Sequence, residues 1–334
     1  MTRAGRIVRV TDASEVSGAR RAAIQCAEAL RLSETAAAKA GLAATELATN
    51  LIKHGDGGSM IFGSDDERSL TIIAIDKGRG IANVGTAMRD GYSTAGSPGT
   101  GLGAVRRAAG FFDVFALENR GTTVLCRIMD EAPRPPLLHA PPRITVGGVC
   151  LPKPGEDAVG DAWTATLTRD VATISVADGL GHGIAASTAS AAAVRIFAER
   201  SDLDIERLMH EAHGALRPTR GAAVGIARIH LSAGRLDFTG VGNIAGTIAE
   251  DDRARRVVSL NGIVGHEMRK VQTFSYPWTA SSVLVLQSDG IGTSWNAASY
   301  PGLLQHDPAL IAAVIYRDFC RGNDDATVVV AKAS

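Results

Sequence analysis

Apolar residues in the first third of the chain recur at helical spacing and then switch to short runs. The pattern predicts helices over 13–31 and 34–54, strands near 59–64 and 69–76, a short helix near 101–109, and strands over 111–118 and 121–129. After residue 143 alternating and continuous apolar runs dominate, with strands expected over 144–149, 161–168, 171–177, 222–231, 234–240, 244–249, 255–260, 271–276, 282–288 and 326–332. Helical patterns interrupt them at 183–199, 204–216 and 308–319. The first set reads as helices on one face of a mostly antiparallel sheet, the second as a β-sandwich with helices packed outside; the fold class is α+β. Between them, Glu131 to Pro142 carries five prolines, which lack a donor and break both periodicities. The expected organisation is a domain over 1–130, a semi-rigid linker over 131–142 and a second domain over 143–334. No internal repeat stands out on either side.

Length and charge support two ordinary globular domains. A chain of 334 residues exceeds what one hydrophobic core usually serves. Lys plus Arg equals Asp plus Glu, 35 against 35, and residues 1–130 hold 16 basic and 14 acidic side chains, so no basic footprint for nucleic acid is expected. No apolar run approaches the roughly 20 residues that span a bilayer, and no apolar signal core follows the N-terminus; a cytoplasmic protein without membrane contact is expected. Cys26, Cys126, Cys150 and Cys320 are scattered without metal-ligand spacing and read as buried thiols.

Three separated elements of the first domain suggest one nucleotide pocket. Glu46 and Asn50, four apart on the second helix, share a face and can offer a carboxylate and an amide to one phosphate-bound cation. Asp76 ends an apolar run and enters the glycine turn Lys77-Gly78-Arg79-Gly80. Gly99, Gly101 and Gly103 offer bare backbone N–H groups ahead of a helix. In this order the set resembles the N box and two glycine boxes of the GHKL ATPase and kinase superfamily, and most of all its anti-sigma-factor serine kinases of the RsbW and RsbT type. The resemblance covers roughly the first 130 residues and implies the GHKL (Bergerat) α/β sandwich. It also implies ATP with Mg²⁺ held by Asn50, an adenine amino group read by Asp76, and a base pocket shaped by Gly78 and Gly80. Gly99, Gly101 and Gly103 would form the lid, Thr123 would back Asp76, and Glu46 would be the base for a substrate hydroxyl or, alternatively, a holder of Mg²⁺ water. Only His54 and His139 occur in the first 142 residues, neither upstream of Asn50, which disfavours a sensor histidine kinase acting on its own helix.

The second domain places acids where strands begin or end. Asp161 opens one strand, Asp178-Gly179 and Asp289-Gly290 close two others, and Asp324-Asp325 precedes the last. Oxygen-only donors favour a hard cation, Mg²⁺ or Mn²⁺, and two such ions can activate water against a phosphoester. Asp-Gly is also a common turn, and Asp56-Gly57 and Asp90-Gly91 are read as turns only. The four-part pattern, with Asp178-Gly179-Leu180-Gly181-His182-Gly183 before an alanine-rich helix, resembles the type 2C metal-dependent serine/threonine phosphatases and their SpoIIE and RsbX-like branch, over residues 143–334. An αββα sandwich is implied, with Asp161, Asp178, Asp289 and Asp324 as metal carboxylates and the Gly179 carbonyl bridging the ions. Asp325 is the alternative to Asp324, and Asp157 a rival of Asp161. His182 reads as a structural residue of its glycine loop, and Arg143 matches only loosely the phosphate-binding arginine of the larger enzymes, so it is left unassigned.

Together the two resemblances imply a switch protein that phosphorylates and dephosphorylates a serine or threonine on a STAS-domain partner, an anti-sigma antagonist or a stressosome-type scaffold. A phosphatase whose ATP domain only senses nucleotide or docks a partner, and a module that sequesters a sigma factor, are the alternatives. Anti-sigma kinases commonly dimerise, which leaves a homodimer open here.

Overall fold

In the computed structural model, residues 5–64, 68–82, 101–130, 141–250 and 253–334 are described. The chain divides into two compact units, one over Gly5–Pro135 and one taking in Pro136–Ser334. Most of the proline-rich segment expected as a linker, residues 131–140, lies outside the described residues.

The first unit runs β1 (Arg6–Val10), α1 (Val16–Ala29), α2 (Glu34–Gly55), β2 (Gly58–Gly63), β3 (Ser69–Ile75), α3 (Gly101–Ala108), β4 (Phe111–Leu117) and β5 (Gly121–Met129). Ser33 caps α2 by accepting from the Ala36 N–H, and Asp56 ends it in the left-handed region. The strands form one antiparallel sheet, β1-β2-β3-β5-β4. Alternation along β3 and β5 sends Leu70, Ile72, Ala74, Val124, Cys126 and Ile128 to a core shared with the alanines of α1 and α2 and with Leu47, Leu51 and Val105. Small residues on both helices let their backbones approach closely over the sheet. β1, absent from the sequence-based expectation, is an edge strand paired with β2 from Arg6–Phe62 to Val10–Gly58.

The second unit contains β6 (Ile144–Leu151), β7 (Asp161–Leu167), β8 (Val171–Gly179), α4 (Ile184–Glu199), α5 (Ile205–Leu216), β9 (Ala222–His230), β10 (Arg235–Val241), β11 (Ala245–Ala249), β12 (Ala254–Arg256), β13 (Phe274–Pro277), β14 (Val283–Gln287), α6 (Pro308–Phe319) and β15 (Ala326–Ala333). Two five-stranded sheets, β13-β10-β9-β8-β7 and β12-β11-β14-β15-β6, are antiparallel throughout. Their inner faces meet in a core that includes Trp163, Ile174, Val176, Phe238, Leu284, Leu286 and Val329. α4 and α5 cover the outer face of the first sheet through Val194, Phe197, Leu208 and Met209, and α6 packs on β6 and β15 of the second. This is the αββα sandwich. The strand expected over 255–260 is shorter, Ala254–Arg256. Beyond it the chain leaves β11 and crosses to β10, where Leu260 donates to the Gly240 carbonyl. No helix among the described residues is long and apolar enough to cross a membrane.

Candidate functional site

Each unit gathers its own set of polar side chains. In the first, Glu46 and Asn50 sit half-buried on α2, and the start of α3 comes against both. A Cβ on Gly101 would lie 3.3 Å from Asn50 Oδ1 and 3.5 Å from Glu46 Oε2. Asp76 follows β3 directly, with Gly55 at the end of α2 packed on it so closely that a Cβ there would meet the Asp76 Cβ at 2.7 Å. Asp76 Oδ1 accepts from the Gly78 N–H at 2.9 Å and from the Thr122 N–H at 3.0 Å.

The Thr122 contact is made by its backbone N–H, and Thr123, fully buried one position further on, pairs with Ile75, the residue before Asp76. Gly78 and Gly80 serve backbone packing: a Cβ on Gly78 would meet the His54 carbonyl at 2.8 Å, and Gly80, at φ +70°, would meet the Leu117 carbonyl at 2.1 Å. Gly103 is buried inside α3. Gly99 lies outside the described residues.

In the second unit the β7–β8 register sets Asp161 directly across from Asp178, so the two carboxylates project from one face. Asp161 is 4% exposed. Its Oδ2 accepts from Ser288 Oγ at 2.6 Å, and that hydroxyl in turn accepts from the Thr327 N–H at 2.9 Å. Its Oδ1 is buried with no hydrogen-bond partner among the described residues. An ionised oxygen in that position is costly unless something cationic answers it. Burial, and then the charges of Asp161, Asp289, Asp324 and Asp325, push Asp178 up to about 8. Burial raises Asp161 as well, with the Ser288 hydroxyl working against it. Asp289 is raised by burial and by Asp324, against the pull of Arg321 and of Asn243, whose amide donates to Asp289 Oδ2 at 2.7 Å. Five acids, Asp161, Asp178, Asp289, Asp324 and Asp325, thus crowd one end of the sandwich.

Asp324 and Asp325 divide their roles in the structure. Asp325 is 3% exposed, and its two oxygens accept from the Lys153 and Gly160 N–H groups, each at 2.9 Å. That carboxylate ties the loop before β7 to the turn before β15. Asp324 is half-buried, and its Oδ1 accepts from the Asp325 N–H at 2.9 Å. Gly179 lies under α4, where a Cβ would meet the Ala186 carbonyl at 2.1 Å. Asp157 is exposed. His182 is held by Glu156, Nδ1 to Oε1 at 2.8 Å. Arg143 pairs with Asp170 at 3.2 Å, at the far end of β6 from Asp325. Asn243, Ser288 and Thr122 escaped the sequence analysis. Ser288 could have been found beside Asp289, but nothing local links Asn243 to an acid 46 residues later.

Among the described residues no three His, Cys, Asp or Glu side chains already close a metal cage. The donors nevertheless fit hard cations: all are oxygens, one is buried and unpartnered, and their mutual repulsion is what divalent charge relieves.

Residues 10–128 match the family model of the histidine kinase-like ATPase domain, and residues 169–334 match that of stage II sporulation protein E (SpoIIE). Serine/threonine-protein kinase RsbT of Bacillus subtilis (strain 168) is 30% identical over 120 residues, 35% of this chain and 90% of the relative. Phosphoserine phosphatase RsbX of the same organism is 23% identical over 142 residues, 42% of this chain and 71% of the relative. A chain from a solved structure described as "The bacterial stressosome: a modular system that has been adapted to control secondary messenger signaling" superposes with TM-score 0.53 at 25% identity, covering 57% of this chain and 99% of that one. The chain belongs, through an RsbT-like N-terminal unit, to the histidine kinase-like ATPase family, and its C-terminal unit is a SpoIIE-type, RsbX-like domain of the type 2C serine/threonine phosphatases.

Proposed function

We propose that this protein is a bifunctional switch acting on a serine or threonine of a STAS-type partner, an anti-sigma antagonist or stressosome-like scaffold in the cytoplasm. The observation that carries the reading is the presence in one chain of two assembled constellations, Glu46 and Asn50 beneath Gly101, and Asp161 across from Asp178. The family relatives of the two units, a kinase and a phosphatase, point the same way.

In the first unit Asn50 would hold Mg²⁺ on ATP, and Asp76, fixed by the Gly78 and Thr122 N–H groups, would accept from the adenine amino group. Glu46 takes the proton of the attacking hydroxyl, and catalysis is mostly positioning. In the second unit Asp161, Asp178, Asp289, Asp324 and the Gly179 carbonyl would hold Mg²⁺ or Mn²⁺, which supply Lewis acidity toward a phosphoester and lower the pKa of water. Ser288 orients Asp161, Asn243 orients Asp289, and Asp325 fixes the loops that carry them.

Intact-mass analysis of a STAS protein incubated with MgATP, MnCl₂ and the wild type, Glu46→Ala or Asp178→Asn tests the reading. Phosphate should accumulate with Asp178→Asn, not with Glu46→Ala, and the wild type should strip a pre-phosphorylated client. If no variant adds phosphate while the wild type removes it, the first unit is a nucleotide sensor or docking module and the bifunctional reading fails.

A further inference from the structure

A phosphomonoester dianion needs a cationic side chain as well as metal charge to fix its orientation, and arginine's planar fork suits it best. Arg143 cannot supply it. It starts β6 at the end paired with Ala333, whereas the carboxylates lie beyond the end paired with Ala326. The eight residues of β6 separate the two by roughly 26 Å at strand rise. Elsewhere in the unit, Arg228 is spent on Thr173 and on the Ser201 and Leu203 carbonyls, Arg235 on Asp237 and Arg317 on Asp318.

Arg321 is drawn to Asp289, on whose carboxylate its charge acts, and Arg220 lies against the 178–183 loop without such a commitment. Arg220 is exposed and makes no hydrogen bond or ion pair among the described residues. It precedes Gly221, whose carbonyl accepts from the Leu180 N–H at 3.0 Å. The loop Asp178 to Gly183 is thereby stitched to the segment that carries Arg220. A Cβ on Gly181, at φ +87°, would lie 3.0 Å from Arg220 Nη1, so the guanidinium rests against bare backbone three residues after Asp178. On the other side of the same loop Glu156 engages His182, and Ile184 beside it is 80% exposed. The 178–183 loop therefore presents the Arg220 guanidinium and the apolar Ile184 side chain to whatever approaches.

We propose that Arg220 binds the phosphate of the phosphoserine or phosphothreonine substrate, held by the 178–183 glycine loop beside the carboxylates. The inference rests on the phosphatase reading of this unit. Steady-state kinetics of the full chain with MnCl₂, p-nitrophenyl phosphate and a phosphoserine peptide, and with inorganic phosphate as product inhibitor, test it. Arg220→Ala should raise the inhibition constant of phosphate and the KM of the peptide about 10- to 100-fold, the range for losing a charge-assisted hydrogen bond. Arg220→Lys should recover part of the loss, because a point charge lacks the fork. Arg143→Ala should change neither constant, and the half-saturating Mn²⁺ concentration and thermal midpoint of Arg220→Ala should match the wild type. A phosphate inhibition constant within twofold of wild type in Arg220→Ala, or a loss matched by an equal shift in Mn²⁺ requirement, overturns the proposal. A wild type that releases no phosphate from either substrate removes the phosphatase reading and this inference together, whereas an active wild type with an insensitive Arg220→Ala removes only the inference.

Discussion

Replacing Asp178 by Asn should stabilise the second unit when divalent metal is chelated and abolish its stabilisation when metal is present. Asp178 faces Asp161 across the β7–β8 pair, and burial with neighbouring carboxylates lifts its pKa from 3.8 to about 8. A carboxylate whose folded pKa is raised costs stability as pH climbs from the unfolded value to the folded one, and the cost is complete above about 8. At pH 7 the group sits roughly three units above its unfolded pKa, at about 1.4 kcal/mol per unit, so the strain is of order 4 kcal/mol. Part of it is shared with Asp161, so Asn should return about 2–4 kcal/mol, or about 5–15 °C in Tm for a unit of this size. The gap between variant and wild type should open as pH rises from about 4 to about 8 and should vanish at acid pH. Metal at a hundredfold its Kd should raise the wild type by about 2.7 kcal/mol and leave the variant almost unmoved. Differential scanning fluorimetry of the full chain in EDTA and in MnCl₂, across that pH range, reads all three. A variant that melts at or below wild type in EDTA at pH 8 refutes the reasoning, because it would mean that the carboxylates do not strain one another.

Three further outcomes are expected. Ser288→Ala removes the 2.6 Å hydrogen bond to buried Asp161 and the acceptor of the Thr327 N–H; it should cost about 1–3 kcal/mol in urea denaturation, and an unchanged midpoint would contradict it. Gly80→Ala puts a Cβ 2.1 Å from the Leu117 carbonyl at a φ of +70°; the first unit should lose at least about 1–2 kcal/mol and its nucleotide affinity with it, seen by thermal melting with and without ATP. Asn50→Ala should weaken MgATP binding about tenfold or more by calorimetry while leaving metal-free nucleotide binding within about threefold; equal losses in both would mean that Asn50 does not act through the cation.

The sequence carried a large share of the fold because most of its elements are locally determined. The expected helix over 308–319 matches α6 from Pro308 to Phe319, for Asp307 caps it and Pro308 suits its first turn. The strands expected over 69–76 and 121–129 match β3 and β5, whose pairing places Ala74 beside Val124 over the alanine-rich helices. Edge segments were harder. β1 is five residues with Arg6 and Arg9 outward, too short to raise an apolar signal, and it exists because β2 has an open side. The strand expected beyond Arg256 breaks because the chain changes partner from β11 to β10, which no local preference encodes.

The candidate sites divide along the same line. Composition and order of residues alone determined that acids stand at the ends of apolar strands, that Glu46 and Asn50 share a helix face, and that glycines flank both, since each of these is a matter of neighbours within a few positions. Only tertiary structure decided that Asp161 faces Asp178, that the Thr122 N–H reaches Asp76, that Asn243 meets Asp289, and that Arg220 rests on the loop that follows Asp178. Strand register and the packing of sheet on sheet fix those pairings. They depend on contacts tens to more than a hundred residues apart, and a one-residue slip exchanges the two faces of a strand.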